Sequence, residues 1–141
     1  MNKKGFTLIE LLAVIVILAL IALIAYPIID DLLDRQEKNA FKISAEGIYN
    51  AVEMDQANRG FITNLKYEFN DKILTLVENN GTAVAENIKL SGEITDGEGT
   101  VIIDANDNII IEIENENWCA YNEADATGQY YSTIKLKDGR C

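Results

Sequence analysis

One acidic residue, Glu10, lies within a long apolar run that begins at Phe6 and continues to Ile29. A carboxylate in such a run costs about 2.5–3.5 kcal/mol near the centre of a bilayer and less near its surface. An acid in this environment is taken to be functional, and a partner of opposite charge would offset its cost. The N-terminal ammonium of a neighbouring copy would provide one, if a new N-terminus is made at Phe6.

The apolar run from Phe6 to Ile29 is long enough to cross a membrane, which takes roughly 20 residues. Lys3 and Lys4 precede it, so the N-terminus is expected in the cytoplasm and the rest of the chain outside. A secretory signal would carry its small-residue cleavage site after the apolar core, whereas Gly5 comes before it. A plain signal-anchor has the same hydropathy and stays open as an alternative.

A short basic leader and a long apolar helix flank the motif Gly5-Phe6-Thr7-Leu8-Ile9-Glu10. Together they resemble the class III signal peptide of type IV pilins and pseudopilins. The resemblance implies that a prepilin peptidase removes residues 1–5 by cutting after Gly5, and that the new Phe6 amine is methylated. It also implies that Glu10 pairs with this amine in an adjacent subunit. Pro27 falls where many family members carry a helix-kinking proline, which gives it a role in assembly.

The two cysteines, Cys119 and Cys141, are neither in a CxxC pair nor near a histidine, which argues against zinc or thioredoxin-type chemistry. In an exported domain an even count suggests one disulfide, and two free thiols are the alternative. The bond would contribute about 3 kcal/mol by constraining the unfolded chain. Many pilins expose a C-terminal region bounded by a disulfide. By that resemblance, residues 120–140 are the candidate contact with surfaces or with neighbouring subunits.

Other chemistry has little support in the sequence. The chain has no histidine, and its 12 basic and 23 acidic residues give a net charge of −11, which argues against a nucleic-acid partner. Oxygen ligands at Asp104, Asn106, Asp107 and Asn108 could suit calcium, but the glycine and distal glutamate of the known loop motif are missing. A hairpin turn explains the same residues better. We therefore expect no enzyme activity, no metal site and no cofactor.

Beyond Pro27 the chain becomes amphipathic, and the helix is expected to end near Asn58, before the Arg59-Gly60 cap. One row of small or apolar residues recurs at steps of three or four, and a second row flanks it. The first row is Ile29, Leu33, Ala40, Ile43, Gly47, Ala51 and Met54, and the second is Phe41, Ala45, Ile48 and Val52. Together they predict a wide stripe packed on a sheet.

Short alternating segments after Gly60 predict the strands of that sheet. They are 65–69, 73–77, a possible strand at 88–94, 100–104, 109–114, 118–121 and 132–136. The fold class is therefore α+β, with one long helix on a small antiparallel sheet, as in pilins. The predicted segments are the leader 1–5, a transmembrane or filament-core helix 6–29 and a globular domain 30–141. Within that domain the amphipathic helix covers 30–58, and the sheet and C-terminal loop cover 61–141.

The favoured function is a structural subunit of a type IV pilus, most simply its major pilin, with roles in adhesion, surface motility or biofilm formation. Its expected partners are further copies of itself, a prepilin peptidase, an inner-membrane platform with its ATPase, the membrane before assembly, and surfaces or host cells. A pseudopilin of a type II secretion or DNA-uptake machine is the close alternative. A signal-anchored extracytoplasmic binding domain or enzyme is the alternative from another class.

Overall fold

The computed structural model describes residues 4–141, so Met1, Asn2 and Lys3 of the predicted leader lie outside the described residues. Within the described part, one helix, α1 (Leu8–Asn58), is followed by seven strands. The chain divides into two compact units, of which the first ends at Glu37 and the second begins at Lys38.

The first unit consists mainly of the N-terminal part of α1. Its apolar side chains point to all sides of the helix, and no described side chain before Lys38 is buried. One stretch has a mean hydropathy of 3.2, so by length and composition the helix can cross a membrane. α1 continues through Pro27 without a break, although a proline ring removes one backbone hydrogen bond.

The second unit is built on one sheet in which every neighbouring pair of strands is antiparallel. Its strands are β1 (Leu65–Asn70), β2 (Ile73–Asn79), β3 (Thr82–Ile88), β4 (Glu98–Ile103), β5 (Ile109–Glu114), β6 (Trp118–Tyr121) and β7 (Lys135–Asp138). The order across the sheet is β3-β2-β1-β4-β5-β6-β7, which makes β3 and β7 the edge strands.

Tight turns with left-handed residues join the first three strands. Asp71 and Lys72, with φ of 47° and 70°, connect β1 to β2. Asn80 and Gly81, with φ of 48° and 80°, connect β2 to β3. Positive φ at both central residues matches the twist of an antiparallel pair, so these turns set the register.

The core lies between one face of α1 and one face of the sheet. Buried residues alternate along the strands, as at Leu65, Tyr67 and Phe69 of β1, which is the pattern of a sheet covered on one side. α1 contributes seven buried residues: Phe41, Ser44, Ala45, Ile48, Tyr49, Val52 and Gln56. This packing confirms the predicted α+β fold.

The end of α1 also agrees with its prediction. Gly60 has a φ of 83°, and its amide donates to the carbonyl of Ala57 at 3.1 Å. The amide of Phe61 donates to the carbonyl of Gln56 at 2.9 Å. These two bonds form a Schellman motif, which satisfies carbonyls that the helix leaves free.

Three predictions about local structure need correction. α1 begins at Leu8 instead of Phe6, because Thr7 caps it. The predicted strand at 88–94 is wrong, because β3 occupies 82–88 and ends at the residue where the predicted strand began. β7 covers 135–138 instead of 132–136.

Only part of the predicted helical stripe is buried. The row through Phe41, Ala45, Ile48 and Val52 faces the sheet, whereas Ile43 and Met54 of the other row remain exposed. Both rows have helical spacing, so the spacing could not show which of them meets the sheet.

Candidate assembly site

The junction between Gly5 and Phe6 precedes α1 and is exposed. The space beside Gly5 is open, with no heavy atom within 4 Å of the position that a Cβ would occupy. Exposed segments outside regular secondary structure are the preferred sites of proteolytic cleavage. The geometry therefore leaves this bond accessible, and cleavage there remains a prediction.

Glu10 forms a reciprocal pair of hydrogen bonds with Thr7 at the start of α1. The Thr7 amide donates to Oε2 of Glu10 at 2.8 Å, and the Glu10 amide donates to Oγ1 of Thr7 at 3.3 Å. This is a capping box, in which each side chain satisfies a backbone amide that the helix leaves without a partner. A carboxylate in the first turn also lies at the positive end of the helix dipole.

The capping box gives Thr7 a role that the sequence analysis did not assign to it. The signal was available, because a threonine followed three residues later by a glutamate before an apolar run is the pattern of such a box. Glu10 therefore has a partner within its own chain, through one carboxylate oxygen. Its predicted pairing with the amine of a neighbouring subunit would be an additional interaction, and it stays a prediction, as does the role of Pro27.

The C-terminal cysteines form the predicted disulfide, Cys119–Cys141, with their Cα atoms 5.1 Å apart. Cys119 lies on β6 and is buried, so the bond fixes Cys141 to the sheet. The 120–140 segment is thereby closed at both ends, as the resemblance implied.

The disulfide also places Arg140 over two carboxylates of the open sheet face. Glu98 and Glu114 lie directly opposite each other on β4 and β5, and like charges in such a pair destabilise a sheet. Arg140 bridges them, with Nη2 2.6 Å from Glu98 and Nε 3.0 Å from Glu114. The amide of Cys141 also donates to Glu114 at 2.6 Å. The guanidinium offsets one of the two negative charges at this part of the sheet face.

Asn122 organises the start of the disulfide-bounded segment. It is buried, and its Oδ1 accepts a hydrogen bond from the amide of Ile111 at 3.0 Å. Its Nδ2 donates to the carbonyls of Ile109 and Tyr131, at 2.7 and 2.9 Å. The Asn122 side chain thus connects β5 to Tyr131 in the disulfide-bounded segment. The sequence alone does not single out Asn122, because its hydrogen-bond partners lie in other segments of the chain.

The asparagine- and aspartate-rich segment between β4 and β5 forms a turn, as predicted. Oδ1 of Asp104 accepts from the amides of Asn106 and Asn108, at 2.8 and 2.9 Å, and its Oδ2 accepts from the Asn108 side chain. Burial works to raise the pKa of Asp104, but the hydrogen bonds from Asn108 and Asn106 outweigh it and hold that pKa below 3.8. Both oxygens of the Asp104 carboxylate therefore accept hydrogen bonds within the turn.

A second polar network ties the end of α1 to the sheet. The Tyr67 hydroxyl donates to Oδ2 of Asp55 at 2.8 Å, and Nε of Arg59 donates to the same oxygen at 2.7 Å. Arg59 also pairs with Glu86 of β3 at 2.8 Å. Burial, followed by the bond to Asp55, raises the pKa of Tyr67, so this hydroxyl stays protonated. Hydrogen bonds to Asp55 and Glu86 raise the pKa of Arg59.

Comparison with known proteins gives a match at the N-terminus. Residues 1–26 match the family model described as the prokaryotic N-terminal methylation motif. No curated protein and no solved structure matched the chain. The matched segment contains Gly5, Phe6 and Glu10 and stops one residue before Pro27. The chain therefore begins with the class III signal peptide of type IV pilins, which leads into a pilin-like α+β fold.

Proposed function

We propose that this chain is a structural subunit of a type IV pilus, its major pilin, which polymerises through the N-terminal part of α1. The observation that carries the proposal is the methylation motif on residues 1–26, at the head of a helix with no buried side chain before Lys38. A prepilin motif implies processing by a prepilin peptidase and assembly by pilus-like machinery.

The environment that the first unit requires supports polymerisation. Apolar side chains all round a helix must be covered by lipid or by other helices. Lipid tails and neighbouring helices are similarly apolar, so moving the subunit from membrane to filament has a small hydrophobic cost. The precursor is then a membrane-anchored protein, and the assembled form is an extracellular filament.

In this proposal each residue of the motif has one task. The peptidase cuts after Gly5, the Phe6 amine is methylated, and the carboxylate of Glu10 pairs with that amine in an adjacent subunit. Pro27 bends α1 where subunits pack. The subunit is not an enzyme. An inner-membrane platform and its ATPase assemble it, and the filament serves adhesion, motility or biofilm formation through the 120–140 segment.

A pseudopilin is the second candidate, because the same motif directs such proteins into short secretion or DNA-uptake filaments. The disulfide-bounded segment favours the pilus, since it resembles the exposed C-terminal region of pilins. The two candidates differ in the product: a pilus subunit is recovered in material sheared from the cell surface, whereas a processed pseudopilin stays with the envelope.

Glu10→Gln tests the proposal, because glutamine can keep the capping box but carries no charge. If the Glu10 carboxylate pairs with the Phe6 amine of an adjacent subunit, the substitution leaves that amine buried without a partner, which is strongly destabilising. We therefore expect the sheared filament fraction to fall more than about tenfold. Glu37→Gln on the same helix is the matched control and should leave the yield unchanged. Immunoblots of sheared and total fractions provide the measurement.

Two results would contradict the proposal. Filaments from Glu10→Gln at the wild-type level would show that Glu10 acts as a cap alone. A wild-type subunit that never reaches the sheared fraction would remove the pilus function, and an unprocessed one would favour a signal-anchored binding domain or enzyme.

A further inference from the structure

Phe61 has two unfavourable features, a left-handed backbone conformation and an exposed aromatic side chain. Its φ is 58°, in the left-handed region that bulky side chains rarely adopt. Its side chain is 67% exposed, although it is a large aromatic. Strain of this kind persists where surrounding structure enforces it, and it is concentrated at functional positions.

The structure around Phe61 holds it in place. Its amide donates to the carbonyl of Gln56, and Nε2 of Gln56 donates to the carbonyl of Ile62 at 3.1 Å and to Asp107 at 2.6 Å. Gln56 is itself buried. Phe61 follows the left-handed glycine of the Schellman motif, where an apolar side chain commonly packs back on the last helical turn. Here that turn offers Asp55 and Gln56, and the ring remains in solvent.

A groove lies on the same unit, between α1 and the β3 edge of the sheet. Its volume is about 520 Å³, and its lining includes Ala51 and Met54 of α1 and Ile88 at the end of β3. Met54 is 68% exposed and gives the groove an apolar patch within a lining that is otherwise mainly polar. A flexible thioether is well suited to contact an aromatic ring.

The groove is close to electrically neutral, in contrast to the chain as a whole. Asp55 and Glu86 line it, and Arg59 pairs with both. Lys89 adds a positive charge to the same lining. Without the two lysines of the leader, an assembling copy keeps 10 of the 12 basic residues and all 23 acidic residues, a net charge of −13. Copies with this charge repel one another, so a contact between copies is favoured where the local charge is balanced.

We propose that Phe61 of one copy docks in this groove of the next copy, between α1 and β3. The two surfaces are different parts of the same chain, so the contact is heterologous and can repeat without closing, as a filament requires. This inference rests on the proposed function and deepens it, by naming a contact between globular units in addition to the helix contacts. An aromatic side chain that enters a pocket is the usual form of an interface anchor.

Phe61→Asn separates assembly from folding. Asparagine tolerates the left-handed region, so the variant should unfold at the same temperature as the wild type or higher. Loss of the ring should lower the sheared filament fraction about tenfold. Ile73→Thr removes apolar surface from another exposed side chain of the second unit, outside the 120–140 segment, and is the matched control, with an unchanged filament yield expected. Wild-type yield from Phe61→Asn would overturn the inference.

A photo-crosslinking amino acid at position 61 tests the docking partner in filaments. We expect a covalent dimer whose crosslinked peptide comes from residues 47–58 or 86–91 of a second copy. The same probe at position 131 should not label those residues. Crosslinks from position 61 to another region, to a different protein or to lipid would overturn the contact while leaving the filament intact. If wild-type cells yield no filaments, the proposed function fails, and this contact fails with it.

Discussion

The two stretches of α1 contain similar apolar side chains in opposite environments. Before Lys38 none of the described side chains is buried, and after it seven are. In the later stretch the apolar residues that meet the sheet lie on one face of the helix, so a single sheet covers them. In the earlier stretch they lie all round the helix, so one sheet could not cover them.

This difference separates the stretch that stabilises the fold of one copy from the stretch that needs apolar surroundings outside it. The later stretch obtains its stability within one copy, from the core that it shares with the sheet. The earlier stretch must obtain it from lipid or from other copies, because apolar surface left in water is unfavourable. Substitutions in the later stretch should therefore lower the free energy of unfolding much more than substitutions in the earlier stretch.

The largest contrast is expected from two isoleucines of α1. Ile48 is fully buried, and Ile48→Ala should lower the free energy of unfolding by about 2–5 kcal/mol through lost contacts and a cavity. Ile17 is 55% exposed, and Ile17→Ala should change that free energy by less than about 0.5 kcal/mol. Denaturant unfolding of the full chain in detergent, followed by Trp118 fluorescence, gives both values. Equal losses at the two sites would remove the distinction between the stretches.

The disulfide should have the next largest effect, confined to the second unit. Cys119→Ala together with Cys141→Ala should lower the free energy of unfolding by about 3 kcal/mol, because the unfolded chain loses a constraint over a separation of 22 residues. The same unfolding assay measures it, and the reduced wild type should behave alike. Since the first unit contains no cysteine, leader removal should be unaffected. A processing defect in this variant would contradict the separation.

Tyr67→Phe should have the smallest effect, and a distinct pH dependence. Loss of the hydrogen bond to Asp55 should cost about 1 kcal/mol of stability at neutral pH. Because burial and that bond raise the pKa of Tyr67 above 10.0, its contribution is complete below pH 10 and is lost as the pH rises further.

Unfolding measured from pH 8 upward tests this prediction. The variant should lose less stability than the wild type in alkali, while Tyr131→Phe should follow the wild type. The raised pKa of Tyr49 has the same sign and remains in both proteins, so only the difference between them is informative. Identical alkaline profiles for the wild type and Tyr67→Phe would contradict the assigned role.

Local signals made much of the fold predictable. Gly60 ended the helix, and the asparagine- and aspartate-rich turn between β4 and β5 placed a hairpin, because each depends on residues adjacent in the chain. β3 was missed because an edge strand needs little burial: its only large aliphatic residues are Val84 and Ile88, both partly exposed. Which helical row met the sheet was also unpredictable, since that depends on the partner and not on the spacing.

The candidate assembly site was predictable only where its residues lie in one short motif. Gly5, Phe6 and Glu10 stood out by sequence alone, and the disulfide followed from the cysteine count and the resemblance. Asn122 and Arg140 could not be found in this way, because their partners lie on other strands. Phe61 looked like an ordinary apolar residue until its exposure and backbone angle were known.

The most direct test of the central claim is the intact mass and N-terminal sequence of sheared surface material, before and after reduction. The account predicts a chain that begins with methylated Phe6 and gains the mass of two hydrogen atoms when the Cys119–Cys141 bond is reduced. A chain that still begins at Met1 and is found only in membranes would contradict it, and would leave a signal-anchored domain in its place.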